Sequence, residues 1–341
     1  MKIYSVDELK NKTVLLLEKY GLDKKQAVSV ADCFVTADAC GVKTHGLAVL
    51  PSHINKLKNS AYNLSPSLEA EKSTNAFALI DADNSIGPYS ASYCMNYAIK
   101  KAKAEGIFTV FSKHCNTYGP AFYYTYLAVK QGLIGITFSN SPVAMAAWGG
   151  SKKLLGTNPL AVGIPGKNEG PILYDIATSK VAKSKINKAR LENKKIPADW
   201  ALDENANPTT DPLEAIKGFV LPMAEHKGYG LALVLDMLSG MISGSGYSTG
   251  VNKFYSENNQ CMNVGQTFIA IDPKIVMDDD FYNCTDDYIQ KIHSNHSVGD
   301  NRVVFPGEHK LDNLNHSLQY GISYEVNVEE SLEALFAEIG D

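Results

Sequence analysis

Around residue 76 the spacing of apolar residues changes, and no other feature restricts the fold so much. Up to that point apolar side chains recur at helical intervals. Beyond it, short apolar runs, "AFALIDAD", "IFTVFS" and "LIGITFSN", alternate with helical stretches, "SASYCMNYAIKKAKAEG" and "AFYYTYLAVKQG", which close at Gly106 and Gly132. Further strands are expected at "LAVGIP", "PILYDIA" and "TFIAID". A long helix after "HKG" carries Leu231, Leu235, Leu238 and Ile242, and a last strand and helix, "GISYEVN" and "ESLEALFAEIG", end the chain. Strands alternating with helices imply an α/β fold, with helices packed on a sheet.

The first 75 residues read as helical. In "SVDELKNKTVLLLEKYG", Ser5 precedes Glu8 at capping-box spacing, and Gly21 suits the left-handed end of a helix. A second helix runs from Asp23 to near Gly41 with Ala27, Ala31, Phe34 and Val35 on one face. The tripeptide Thr44-His45-Gly46 therefore falls at a junction between helices, where a side chain is held firmly and still meets a ligand. A lone histidine is more often a hydrogen-bonded structural residue. Its setting raises the alternative: an imidazole beside a hydroxyl can exchange a proton with a carbonyl or hydroxyl oxygen.

Composition removes several classes of function. A chain of 341 residues exceeds one compact unit, and with no Pro/Gly-rich linker two closely packed parts are expected. The net charge of −5 comes from residues spread along the chain, with no basic stripe to follow a phosphate backbone, so nucleic acid is not an expected partner. No apolar run approaches the roughly 20 residues that span a bilayer. The N-terminus lacks the apolar core of a signal peptide, so no membrane association and a cytoplasmic location are expected. The six cysteines show no C-x-x-C spacing, and no metal site is expected.

The dinucleotide fingerprint G-x-G-x-x-G is absent after every expected strand. "SGSGYSTG" follows a helix instead of opening one and reads as a flexible helix exit. Three other stretches suit a ligand: "GTNPLAVGIP" with Gly156, Thr157 and Asn158 before a strand, "YDIATSK" with Asp175, Thr178 and Ser179 at a strand end, and "EHKGYG" with His226 and Lys227 at a helix entrance. Each alone is more often a turn or a helix cap than a ligand site.

Taken in order, "THG", "GGSKKLLGTNPLAVGIP", "DIATSK", "KIPADWALDENANPTTDP", "HKGYGLALVLDMLSGMISG" and "VFPGE" resemble the malate/L-lactate dehydrogenase type-2 family, whose members include sulfolactate, ureidoglycolate and diketogulonate dehydrogenases and piperideine carboxylate reductases. The resemblance implies a non-Rossmann nicotinamide-binding fold of the sulfolactate dehydrogenase type, with a mixed sheet, a helical N-terminal part, NAD or NADP as coenzyme, and a homodimer. It implies that residues 1–75, packed with 300–341, carry the Thr-His-Gly motif and that 76–299 form the coenzyme-binding core. His45 stands at the family's proton donor, with Thr44 where serine is usual. Asp175, Ala177, Thr178 and Ser179, His226, Lys227 and Gly228, Asn158, and Pro306, Gly307 and Glu308 match coenzyme segments. Lys185 falls where members place a lysine or aspartate near the active histidine.

Two departures concern the substrate. The family's arginine four residues after the histidine, which grips a carboxylate, is Val49 here. A histidine usual near the nicotinamide is Thr117, and His114 lies three residues earlier. These point to a dehydrogenase or reductase for a small carbonyl, hydroxyl or imine substrate of atypical kind. An ordinary 2-hydroxy acid dehydrogenase would draw its cation from elsewhere, such as Lys43 or Arg190, and a catalytically silent coenzyme-binding homologue is the third reading.

Overall fold

In the computed structural model, which describes residues 2–255, 260–300 and 302–340, helices precede the sheet. Helix α1 (Val6–Lys19) starts at Ser5, whose hydroxyl accepts the Glu8 amide at 3.0 Å. Helix α2 (Lys24–Ala39) begins with a complete capping box between Asp23 and Gln26. They bury Leu9, Leu16, Leu17, Val30 and Phe34 in one continuous core. Helix α3 (Leu50–Lys58) follows only after two short 3-10 turns, Lys43–His45 and Leu47–Val49. Val49 thus stands just before an α-helix rather than within one.

The main sheet takes strands far apart in the chain. In spatial order these are β1 (Ala70–Ser73), β2 (Phe77–Asp81), β3 (Ile107–Cys115), β11 (Val264–Ile271), β4 (Ile134–Ser139), β7 (Leu160–Ile164) and β8 (Ile172–Ile176). Only β2 and β3 run parallel; every other neighbouring pair is antiparallel, so the sheet is mixed. Strand β1 lies inside the stretch expected to be helical. Its largely exposed "AEKS" cannot bury a helix stripe and pairs with β2 at the sheet edge. Helices α4 (Gly87–Glu105) and α5 (Ala121–Val129) cover one face, contributing Met95, Ile99 and Tyr124 to the core that Phe108 and Phe268 share.

Smaller elements build the rest. Strands β5 (Met145–Ala146) and β6 (Lys153–Leu155) pair with each other, as do β9 (Ala201–Leu202) and β10 (Phe219–Val220). Around them lie α6 (Lys183–Leu191), α7 (Pro212–Lys217) and α8 (His226–Asp236), which continues into a π-helical turn, Met237–Met241. After α8, "SGSGYSTG" is a packed segment and not a flexible exit: a Cβ on Gly240 would lie 2.3 Å from the Gly246 carbonyl oxygen.

The chain ends with α9 (Lys274–Met277), α10 (Asp280–His293), α11 (Glu308–Tyr320) and α12 (Val326–Ala337). The expected strand "GISYEVN" reduces to one bridge between Tyr4 and Ile322. Its other groups go elsewhere, because the Ser323 carbonyl accepts from Lys43 and the Tyr324 hydroxyl donates to Asp38. Among the described residues no helix is long and apolar enough to cross a membrane.

Candidate active site

The turn that carries Thr44, His45 and Gly46 hangs on one carboxylate. Asp38, near the end of α2 and buried, accepts the Leu47 amide at 2.9 Å and the Tyr324 hydroxyl at 2.7 Å on the same oxygen. Gly46 passes directly over it, and a Cβ there would fall 1.9 Å from the other oxygen. Burial pushes the Asp38 carboxyl up to about 7, against the pull of the Leu47 and Tyr324 bonds and of Lys43. This bracket holds the His45 turn against the C-terminal segment.

His45 faces a cleft of two joined chambers, about 470 Å³ and 330 Å³, that share Thr44, His45, Thr117, Gly119, Ser141 and Lys183. The Thr44 hydroxyl meets the His45 Nδ1 at 3.0 Å, which orients the ring and leaves Nε2 for a ligand. Crowding by protein lowers the pKa of His45, and the charge of Asp175 opposes the shift. Asp175, on β8, accepts the Phe122 amide at 3.1 Å in the first turn of α5. Burial raises its pKa, while the Phe122 bond, Lys310 and His45 hold it down. A neutral imidazole within the field of a carboxylate is a proton carrier in waiting.

Val49 lines the outer chamber with His53, Phe254 and Met262, and Thr117 lines both. Two successive 3-10 turns separate His45 from the start of α3, and they bring His45 and Val49 to one cavity. His114 does not line the cleft: its ring meets Asp81, 2.8 Å away at the C-terminal end of the β2–β3 pair. Lys185 is also outside. Lys183 takes the cleft position instead, because residues two apart on α6 point in different directions. Burial, with repulsion from Lys153 and Lys253, lowers the Lys183 pKa to about 8.

The segments expected to bind coenzyme divide. Ala177 lines the inner chamber, and the adjacent Thr178 hydroxyl is buried without a hydrogen-bond partner. Ser179 bonds back to the Val181 carbonyl. Asn158 braces the wall, accepting the Ser141 amide and donating to the Ala232 carbonyl of α8, while its neighbour Thr157 faces the cleft. His226, Lys227 and Gly228 open α8 outside both chambers, behind Ala224 and Glu225, which hold φ of 46° and 57°. Pro306, Gly307 and Glu308 open α11: Pro306 accepts the Leu173 amide, and buried Glu308 binds His293, Arg302 and the Phe305 amide.

Sequence reasoning passed over His53, Lys183 and Lys253. His53 is buried between Phe34, Phe254 and Tyr62, bonds the Tyr62 hydroxyl at 2.9 Å, and is held neutral with a pKa down at about 3. Its signal was the spacing of four from Val49. The cations proposed as substitutes for the missing arginine are engaged elsewhere: Lys43 donates to the Ser323 carbonyl, and Arg190 bonds Asn187 beside a separate groove.

The family model for malate/L-lactate dehydrogenase matches residues 4–333. The L-sulfolactate dehydrogenase of Methanocaldococcus jannaschii is 36% identical over 326 residues, 95% of this chain and 94% of that protein. The solved sulfolactate dehydrogenase structure from the same organism superposes with a TM-score of 0.91, covering 99% of this chain and 98% of the other at 35% identity. The ureidoglycolate dehydrogenase (NAD(+)) of Escherichia coli O157:H7 is 32% identical over 292 residues, 84% of this chain and 82% of that protein. The (2R)-3-sulfolactate dehydrogenase (NADP(+)) of Chromohalobacter salexigens is 30% identical over 272 residues, 80% and 81% of the two chains.

Proposed function

The chain belongs to the malate/L-lactate dehydrogenase family and is an oxidoreductase, and from that premise we propose that it moves a hydride between a nicotinamide coenzyme, NAD or NADP, and a small carbonyl, hydroxyl or imine substrate, with His45 as acid and base. The observation that carries the reading is His45 itself, in a cleft, with Thr44 on Nδ1 and Asp175 within electrostatic reach.

The cleft fits such a coenzyme. The inner chamber offers the backbone around Ala177, with the buried, unpartnered Thr178 hydroxyl behind it, and Gly119, whose φ of 77° brings bare backbone to the wall. When bound there, the coenzyme supplies the hydride. His45 moves the matching proton to or from the substrate heteroatom, and Thr44 keeps the ring in place. Asp175 favours the imidazolium that forms when His45 takes a proton. Phe254, Met262 and Val49 exclude water from the reacting groups.

Val49 puts an aliphatic wall where the turn after His45 would otherwise hold a cation, so the substrate is gripped differently from one held by an arginine there. The same proposal takes 1–75 with 300–341 as the helical part and 76–299 as the coenzyme part. It also takes the working protein to be a homodimer, supported by an uncovered apolar stripe along α8 and its π turn.

The test follows reduced-nicotinamide absorbance against a panel of 2-hydroxy acids, 2-oxo acids and cyclic imines. His45→Ala is expected to lower turnover on the substrate so found by about 10²-fold or more, with NADH and NADPH affinities by calorimetry little changed. No heat with either coenzyme, or undiminished turnover in the variant, refutes the reading.

A further inference from the structure

Two lysines face the cleft with no carboxylate to answer them. Lys183 is the first residue of α6, and Lys253 stands in the segment just before Phe254; both line the chamber that holds His45 and Val49. Neither ammonium makes an ion pair or side-chain hydrogen bond among the described residues. Several other lysines are answered by a carboxylate, as with Lys113 by Glu71, Lys180 by Asp199 and Lys188 by Glu325. A third lysine, Lys153 on β6, joins Lys183 around a side pocket of about 210 Å³ and reaches only the Lys217 carbonyl.

The cost of this arrangement is visible in the protonation of the group itself. Lys183 is pulled down to about 8 first by burial and then by Lys153 and Lys253, so the cluster carries like charges that repel. An anion placed between them offsets that repulsion and satisfies both free ammonium groups at once. The same chamber lacks any cation on the His45 turn, since position 49 is valine and Lys43 is turned to the Ser323 carbonyl. Positive charge is therefore absent where the histidine turn would supply it and present on α6 and the Phe254 segment.

We propose that Lys183 and Lys253 form the subsite for an anionic group of the substrate, a carboxylate or a sulfonate, and so decide which substrates the cleft admits. The inference rests on the reading of this cleft as the dehydrogenase site and adds to it the group that the substrate must carry. The same charges would also attract a phosphate of the coenzyme. Lys253 argues for the substrate, because it lines only the chamber of Val49, His53 and Phe254, which Lys183 shares while also reaching the inner chamber that Ala177 lines.

Malonate and sulfoacetate, which carry the anion and no group to oxidise or reduce, test this by calorimetry on the full chain with and without NADH. Both are expected to bind the wild type, and Lys183→Gln and Lys253→Gln to weaken them about tenfold or more, the scale of one charge-assisted contact. Lys183→Arg, which keeps the charge, is expected to retain binding and to report that the fold is intact. On the true substrate, Lys183→Gln should raise KM with kcat held, as loss of uniform binding does.

Equal malonate and sulfoacetate affinity in wild type and both glutamine variants overturns the proposal, as does no binding of either anion by the wild type at millimolar concentration. It is equally overturned if the variants lose NADH, NADPH or pyrophosphate affinity by that factor while malonate is unaffected, since the lysines would then serve the coenzyme. None of these measurements needs turnover. A chain that binds malonate through the two lysines but reduces and oxidises nothing in the panel would retire the dehydrogenase reading and leave the anion subsite standing.

Discussion

His45 is pulled in two directions. Crowding by protein favours the neutral ring, and the charge of Asp175 favours the imidazolium, with the first effect the larger. The sign of the pH dependence follows. In the proposed role of His45, oxidation of a hydroxyl uses the neutral ring as base, so its kcat/KM should rise with pH through a pKa below the ordinary histidine value and then level. Reduction needs the imidazolium and should favour the acid side of the same point. Replacing Asp175→Asn removes the charge that holds the pKa up, and the inflection should move further down while reduction near neutrality weakens. An inflection that stays in place or moves up in the variant shows that the two residues are not coupled. At this scale the sequence was legible where chemistry is local: Thr44 and His45 are adjacent, and their bond is in the tripeptide itself. Lys183 and Lys185 differ only by the face of α6 they occupy, and "AKSK" holds no sign of which face meets a cleft built from residues 44 to 262.

Among elements, the turn that presents His45 is the one whose stability is tied to protonation. Asp38 is raised from 3.8 to about 7 by burial, so the folded chain keeps a proton that the unfolded chain gives up. Below the unfolded value both states are protonated and the residue costs nothing. As pH climbs from there toward about 7, stability falls by an amount on the order of a few kcal/mol, and above it the loss is complete. Asp38→Asn keeps an acceptor for the Leu47 amide and has no proton to lose. Its melting temperature should therefore fall less than that of the wild type across this window, and parallel curves for the two proteins would show that Asp38 is ionised when folded. The strands β2, β3, β4, β7, β8 and β11 were all readable from short apolar runs. Their order was not, because β11 inserts between β3 and β4 after more than a hundred intervening residues, and local periodicity carries no record of such a pairing. "GISYEVN" misled for a related reason: its alternation is real, but only Ile322 finds a strand partner.

At the scale of the molecule the apolar surface is unevenly covered. The helix after "HKG" was expected to carry Leu231, Leu235, Leu238 and Ile242, and of these only Leu235 is buried. The π turn spans Met237–Met241, and Met237, Leu238 and Met241 within it emerge on the outside with Val234 before it and Ile242 after it. These five recur at intervals of i, i+3, i+4, i+7 and i+8, the spacing of a helix stripe made to be covered, yet each remains between 43% and 51% exposed in the single chain. Trp148 and Tyr247, both 52% exposed, add to the uncovered apolar surface. In the proposed dimer a second copy of the chain would cover this stripe by a two-fold contact in which the same residues meet themselves, the commonest solution for a soluble oligomer. Light scattering should then report twice the 37.1 kDa chain mass for the wild type. The double variant Leu238→Asp with Met241→Asp should report the single-chain mass, since each carboxylate would be buried against its counterpart without a partner. Circular dichroism separates dissociation from unfolding, because both side chains already lie at the surface of the single chain. A wild type that runs at the single-chain mass at micromolar concentration removes the dimer, and the stripe would then have to be covered by something other than this chain.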